Sequence, residues 1–159
     1  MAFIIAEIGI NHMGNMNIAR KLIHDAAECG ADMAKFQWYS VDDLFGDPSK
    51  PTYREEIYKL VKPFELDEEK IQQLMRWCEE DEIEFGCSVF DTERFEKLEE
   101  FGIEKHKVAS RVSKYDRPLA EKMLETEKMT FVSLGFDAEP FDVVKYPNCY
   151  HLYCVAKYD

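Results

Sequence analysis

The sequence predicts an α/β fold built on parallel strands. Short apolar runs and amphipathic helical segments alternate along its 159 residues, the pattern of βαβ units, whose strands are buried on both faces. The apolar runs end in polar residues, which places chemistry at one end of the sheet. Hydrophobic residues make up 46% of the chain, ample for a packed core and incompatible with intrinsic disorder.

The elements follow in order. "FIIAEIG" reads as a buried strand. "NIARKLIHDAAEC" reads as a helix with Ile18, Leu22, Ala26 and Cys29 on its inner face, stopped by Gly30. "DMAKFQWY" is a second strand. A long connection without regular structure is expected from Ser40 to about Leu66, carrying Pro48, Pro51 and Pro63; its length suggests a lid or substrate loop. "DEEKIQQLMRWCEEDE" is a helix with Asp67 as N-cap and Ile71, Leu74, Met75 and Cys78 facing inward. "IEFGCSVF" is a third strand. "TERFEKLEEFG" is a short helix packed through Phe95, Leu98 and Phe101 and stopped by Gly102. "HKVAS" is a fourth strand, "RPLAEKMLETEK" a helix, "MTFVSLGF" a fifth strand and "CYHLYCVA" a sixth. Only "EPFDVVKYPN" separates the last two.

Two architectures use such units. A dinucleotide-binding sheet would carry GxGxxG after its first strand, and "EIGINHMGN" lacks that spacing. A complete (β/α)8 barrel takes roughly 200 residues or more. The reading is therefore one partial domain over residues 1–159, a parallel (β/α) barrel of the TIM type with about six of its eight units.

Composition narrows the function. A formal charge of −12 argues against a general nucleic-acid binder. No run reaches the roughly 18 uncharged apolar residues of a membrane span, and no leader-like segment opens the chain, so a cytoplasmic protein is expected. The five cysteines (Cys29, Cys78, Cys87, Cys149 and Cys154) include no CxxC pair and read as buried free thiols. His24, His106 and His151 lack metal-ligand spacing and read as structural or solvent-facing.

The strand ends carry the candidate site. Glu7 closes the first strand, and Lys35 and Gln37 the second. Ser88 ends the third, Lys107 and Ser110 flank the end of the fourth, and Ser133 ends the fifth. In a parallel barrel these ends share one face, where the loops carry the chemistry. A lysine in a buried strand is costly unless an anion meets it. Two lysines with several hydroxyls suit a phosphate or carboxylate ligand.

These residues also carry a resemblance. "AEIGINHMGN" and "GADMAKFQWY" resemble the AEIGxNHxG and KFQ motifs of the sialic acid synthase family, the N-acetylneuraminate synthase-like enzymes. "FGCSVFD" is similar to the family's FxSTPFD, "HKVAS" to its KIAS, "TFVSLGF" to its STGM strand and "HLYCVAKY" to its HCTSxYP. The resemblance implies condensation of phosphoenolpyruvate with an N-acylated hexose of the N-acetylmannosamine type, giving a nine-carbon 2-keto sugar acid. It implies that Lys35, Ser88, Lys107, Ser110 and Ser133 bind phosphoenolpyruvate, and that Glu7, Asn11 and His12 form the catalytic loop. Gln37 and Arg111 would complete the rim. It further implies a divalent metal, Mn or Mg, whose family ligands fall after Asp159, and a homo-oligomer or a completing segment. Departures stand beside it. The family's ASGE is "ASRV" here, so Arg111 and Val112 replace a glycine and an acid, and Val155 and Ala156 replace polar positions. The alternative is a non-catalytic anion-binding or assembly protein that keeps the scaffold.

Overall fold

The computed structural model describes residues 2–45 and 55–156. The chain divides into two compact units, Met1–Cys87 and Ser88–Asp159.

The first unit opens with β1 (Ile5–Gly9), α1 (Met16–Glu28) and β2 (Met33–Trp38). β1 and β2 pair in parallel, with Glu7 opposite Lys35. The register then slips, so that Gly9 faces Phe36. Such a bulge bends a strand and re-aims its side chains, and Gly9 takes it at φ +56°, a conformation open to glycine. β3 (Glu84–Val89) completes the sheet in the order β1-β2-β3.

α1 is capped by Asn15, whose side chain accepts from the Asn17 and Ile18 amides. Its buried residues are Ala19 and Ile23. The expected inner face is corrected here: Ile18 and Cys29 are exposed, and Leu22 and Ala26 only half-buried. Both stripes have helical spacing, and the sheet covers the one displaced by a single position. α4 (Glu68–Glu80) follows the expectation more closely. Asp67 caps it by accepting from the Lys70 amide, and Ile71, Leu74 and Cys78 are buried, while Met75 is half-buried. Arg20 of α1 clasps Asp81, just past α4, through both guanidinium nitrogens.

The connection after Ser40, expected to lack regular structure, is corrected. It holds α2 (Val41–Phe45), α3 (Glu55–Val61) and a 3-10 turn over Lys62–Phe64. Asp42 joins them, accepting from the Tyr58 hydroxyl and the Lys62 ammonium, each at 2.7 Å. The Glu65 carboxylate accepts the Val41 amide at 2.6 Å. Acidic first-turn residues such as Asp42, Glu55 and Glu56 favour these short helices. Pro48 and Pro51 lie outside the described residues.

The second unit holds α5 (Thr92–Glu100), β4 (His106–Val108), α6 (Ser110–Tyr115), α7 (Arg117–Leu124), β5 (Thr130–Ser133) and β6 (Cys149–Leu152). β4 pairs with β5, and β5 with β6, both in parallel. α5 buries Phe95 and Leu98, with Phe101 half-buried as its C-cap. The bounds of four elements are corrected. β4 stops at Val108, so Ser110 begins a helix rather than ending a strand. α7 ends at Leu124, four residues before the expected Lys128. β5 and β6 are cores of the longer runs predicted. The β5–β6 connection carries no helix. It is pinned instead by Lys114 donating to the Asp137 carbonyl, by Arg117 donating to the Glu139 and Pro140 carbonyls, and by His151 Nε2 accepting the Phe141 amide.

All five cysteines are free; Cys78, Cys87 and Cys149 are buried and Cys154 half-buried, whereas Cys29 is exposed, a correction to the expected burial. Among the described residues no helix is long and apolar enough to cross a membrane.

Candidate functional site

In the first unit the polar strand residues converge on β1 and β2. Lys35 is only 3% exposed, and its ammonium lies 2.8 Å from the Glu7 carboxylate, which is 56% exposed. Both residues sit inside their strands, not at the ends expected for them. Alternation puts Met33, Lys35 and Gln37 on one face of β2. On β3, Gly86 makes room for that face: a Cβ there would overlap Met33 Sδ and come within 3.3 Å of Lys35 Cγ. At Gly9 a Cβ would lie 3.2 Å from Glu7 Oε1 and 3.6 Å from Gln37 Nε2, so the bulge glycine brings Glu7 and Gln37 close to one backbone. Cys87 is buried with its thiol pushed up to about 12 by burial, against the opposing pull of the Lys35 ammonium. It is therefore a neutral thiol at pH 7.

The first loop separates the two residues expected to act together. Asn11 is exposed and its amide donates to the Ile8 carbonyl. His12 is 0% exposed. Its Nδ1 accepts the Gly14 amide at 3.0 Å, and its ring tilts against Phe36. Burial, then the nearby Lys70 charge, lowers its pKa. With Nδ1 accepting, the neutral ring carries its proton on Nε2, which is buried without a hydrogen-bond partner among the described residues. Gly14, at φ +74°, lets this loop press on the Pro63 carbonyl. His12 thus holds the loop from within.

The second unit assembles the other expected residues more tightly. Lys107 is 9% exposed. Its Nζ donates to Ser133 Oγ at 2.6 Å and to the Val108 carbonyl at 3.0 Å. Ser110 Oγ accepts the Gly135 amide at 3.2 Å and lies 3.1 Å from Cys154 Sγ. A Cβ at Gly135 would fall 2.7 Å from Ser110 Oγ and 2.9 Å from Ala156 Cβ, so this close approach requires glycine. Arg111 is half-buried, with its pKa lowered by burial. Val112 is core. Ser88, buried, is the first residue of this unit.

Two participants escaped the sequence reading. Ser113 is buried and reaches the main chain of both Ser110 and Ser133; its signal was the i, i+3 spacing from Ser110. Gly135 was legible only as the glycine after a strand-end serine. At the opposite end of β4, His106 Nε2 lies 3.0 Å from Glu99, which also pairs with Lys128 at 2.8 Å. Burial lowers the His106 pKa more than Glu99 raises it. His24, 3.7 Å from Asp81, joins the Arg20 clasp. His106 is thus buried, His151 holds the Phe141 amide and His24 faces solvent beside Asp81. Among the described residues no group of three or more His, Cys, Asp or Glu side chains could hold a metal ion. Lys157, Tyr158 and Asp159 of the last motif lie outside the described residues.

The α/β chain with parallel strands has clear counterparts among known proteins. The model of the NeuB family matches residues 22–143. N-acetylneuraminate-9-phosphate synthase of Homo sapiens is 31% identical over 98% of this chain and 47% of its own length. N,N'-diacetyllegionaminic acid synthase of Campylobacter jejuni is 31% identical over 83% of this chain and 42% of its own. The crystal structure of N-acetylneuraminic acid (sialic acid) synthetase from Leptospira borgpetersenii, in complex with citrate, superposes with a TM-score of 0.85 at 29% identity, covering 98% of this chain and 55% of that one. The chain belongs to the NeuB family. It spans about half the length of the curated relatives it matches.

Proposed function

We propose that the chain serves a sialic acid synthase-like reaction, the condensation of phosphoenolpyruvate with an N-acylated hexose. Family membership supports the class of enzyme. The observation that carries the substrate is the buried Lys107 ammonium held by the Ser133 hydroxyl, beside Ser110. A buried cation is stabilised by an anion, and positioned N–H and O–H donors bind phosphate or carboxylate strongly. In this reading Lys107, Ser110 and Ser133 bind phosphoenolpyruvate. Ser88 and Arg111 of the same unit are proposed as further contacts.

The reaction balances without a redox partner. C3 of phosphoenolpyruvate bonds to the aldehyde carbon of the sugar, water adds at C2, and phosphate leaves to give a 2-keto acid. Fixed cations and hydroxyl donors favour such a step by meeting charge where it develops. Asn11 shapes the loop, and His12, buried beneath it, is proposed to act through loop position. The divalent metal, Mn or Mg, belongs to the same reading, but the described residues form no cluster that fits it, and no step is assigned to it. The reading extends to a TIM-type (β/α) barrel, a cytoplasmic location, and completion of the active enzyme by a further segment or a second copy.

Titration calorimetry of the chain with phosphoenolpyruvate, with and without Mn, tests the reading. Saturable binding is expected. A folded sample that takes up no phosphoenolpyruvate in either condition overturns it.

A further inference from the structure

We infer that Ser113, which no sequence motif marks, is the positioning residue of the Lys107 cluster. The inference rests on the proposed anion site and adds a residue to it. Ser113 is 2% exposed. Its hydroxyl lies 2.6 Å from the Ser133 carbonyl and 3.0 Å from the Ser110 carbonyl. Those two residues carry the hydroxyls of the cluster: Ser133 Oγ accepts from Lys107, and Ser110 Oγ accepts the Gly135 amide. One buried side chain therefore touches the main chain of both.

A serine hydroxyl has one proton. The shorter contact assigns it to the Ser133 carbonyl, at the C-terminal end of β5. The Ser110 contact is the local bond three residues back that a helical serine commonly makes. The strand-to-helix bond is the consequential one. It ties α6, which carries Ser110, to the residue whose hydroxyl holds the Lys107 ammonium. Without it, the Ser133 carbonyl loses a buried donor and α6 is free to move away from Gly135. Ser113 has its hydroxyl committed to main-chain carbonyls, so it acts through Ser110 and Ser133.

The test compares the full chain with Ser113→Ala, Ser113→Thr and Ser113→Cys by amide hydrogen exchange and by titration. The Gly135 amide reports the Ser110 contact. The Thr130 amide, which donates to the Asn148 carbonyl at 2.9 Å, reports the sheet of the same unit. In Ser113→Ala, Gly135 exchange is expected to rise about tenfold, with Thr130 unchanged, and phosphoenolpyruvate binding to weaken by about tenfold, the scale of one lost hydrogen bond. Ser113→Thr, which keeps the hydroxyl, restores both. Equal acceleration at Gly135 and Thr130 marks a merely structural residue and overturns the inference, as does an Ala variant with unchanged exchange and binding. If the native chain binds no phosphoenolpyruvate, the functional reading fails, while the exchange comparison still decides the role of Ser113. Should the Ala variant fail to fold, Ser113→Cys, with a weak donor of similar size, carries the same comparison.

Discussion

Lys107 and Lys35 are both buried, yet they are stabilised differently. Lys35 has a carboxylate partner in Glu7 at 2.8 Å. Lys107 donates to a hydroxyl and a carbonyl, dipoles that orient an ammonium. Lys107→Met is therefore expected to keep the chain folded and to weaken phosphoenolpyruvate binding by about ten- to a hundredfold, the worth of a charge-assisted hydrogen bond, measured by calorimetry. Gly86 has a steric role. Gly86→Ala puts a methyl into Met33 Sδ and against the Lys35 stem, and should lower stability by about 1–3 kcal/mol, the usual cost of overpacking, read from the urea midpoint. The residue types of the site were legible, because a lysine inside an apolar run is conspicuous in any sequence. Their partners were less so. A strand carboxylate near a strand lysine is open to pairing, and strand register makes Glu7 the partner of Lys35, whereas Ser113 meets Ser133 across 20 residues, which local sequence does not encode.

Among the elements, α4 and α6 mark the limits of legibility. In α4 the cap, the acidic first turn and the apolar stripe all lie within one segment, so local rules define it. Asp67→Ala should cost about 1 kcal/mol, through the lost bond to the Lys70 amide, seen as a lower urea midpoint with an unchanged m-value. α6, "SRVSKY", has six residues and no apolar stripe long enough to show a period. It forms because Val112 and Ser113 are buried beside β5, with Ser113 bonded to the Ser133 carbonyl, a tertiary cause. The same limit explains α1. Its period was legible, but the choice between the Ile18 stripe and the Ala19–Ile23 stripe belongs to the sheet that covers it. The short helices α2 and α3 depend on Asp42 reaching Tyr58 and Lys62, 16 and 20 residues away.

At the scale of the whole molecule, acidity and histidine burial set the response to pH. His12 and His106 both have pKa values lowered from 6.5, chiefly by burial. Below 6.5 the unfolded chain binds protons that the folded chain refuses, so stability rises with pH across that window. It is fully present above about pH 6.5 and is lost as pH falls toward the lowered values. Urea midpoints should drop as the pH falls below about 6.5 in the native chain, with a shallower drop in His106→Gln. A flat midpoint over that range would contradict the buried, neutral histidines. Membership of the NeuB family follows from the match over residues 22–143, and the proposed chemistry rests on one cluster in the second unit. The most direct test is an amide NMR titration of the native chain and of Lys107→Met with phosphoenolpyruvate. The account predicts saturable shifts centred on Ser110, Ser133 and Gly135 that need about ten- to a hundredfold more phosphoenolpyruvate in Lys107→Met. Shifts that leave those amides untouched, or that saturate at the same concentration in the variant, would contradict it.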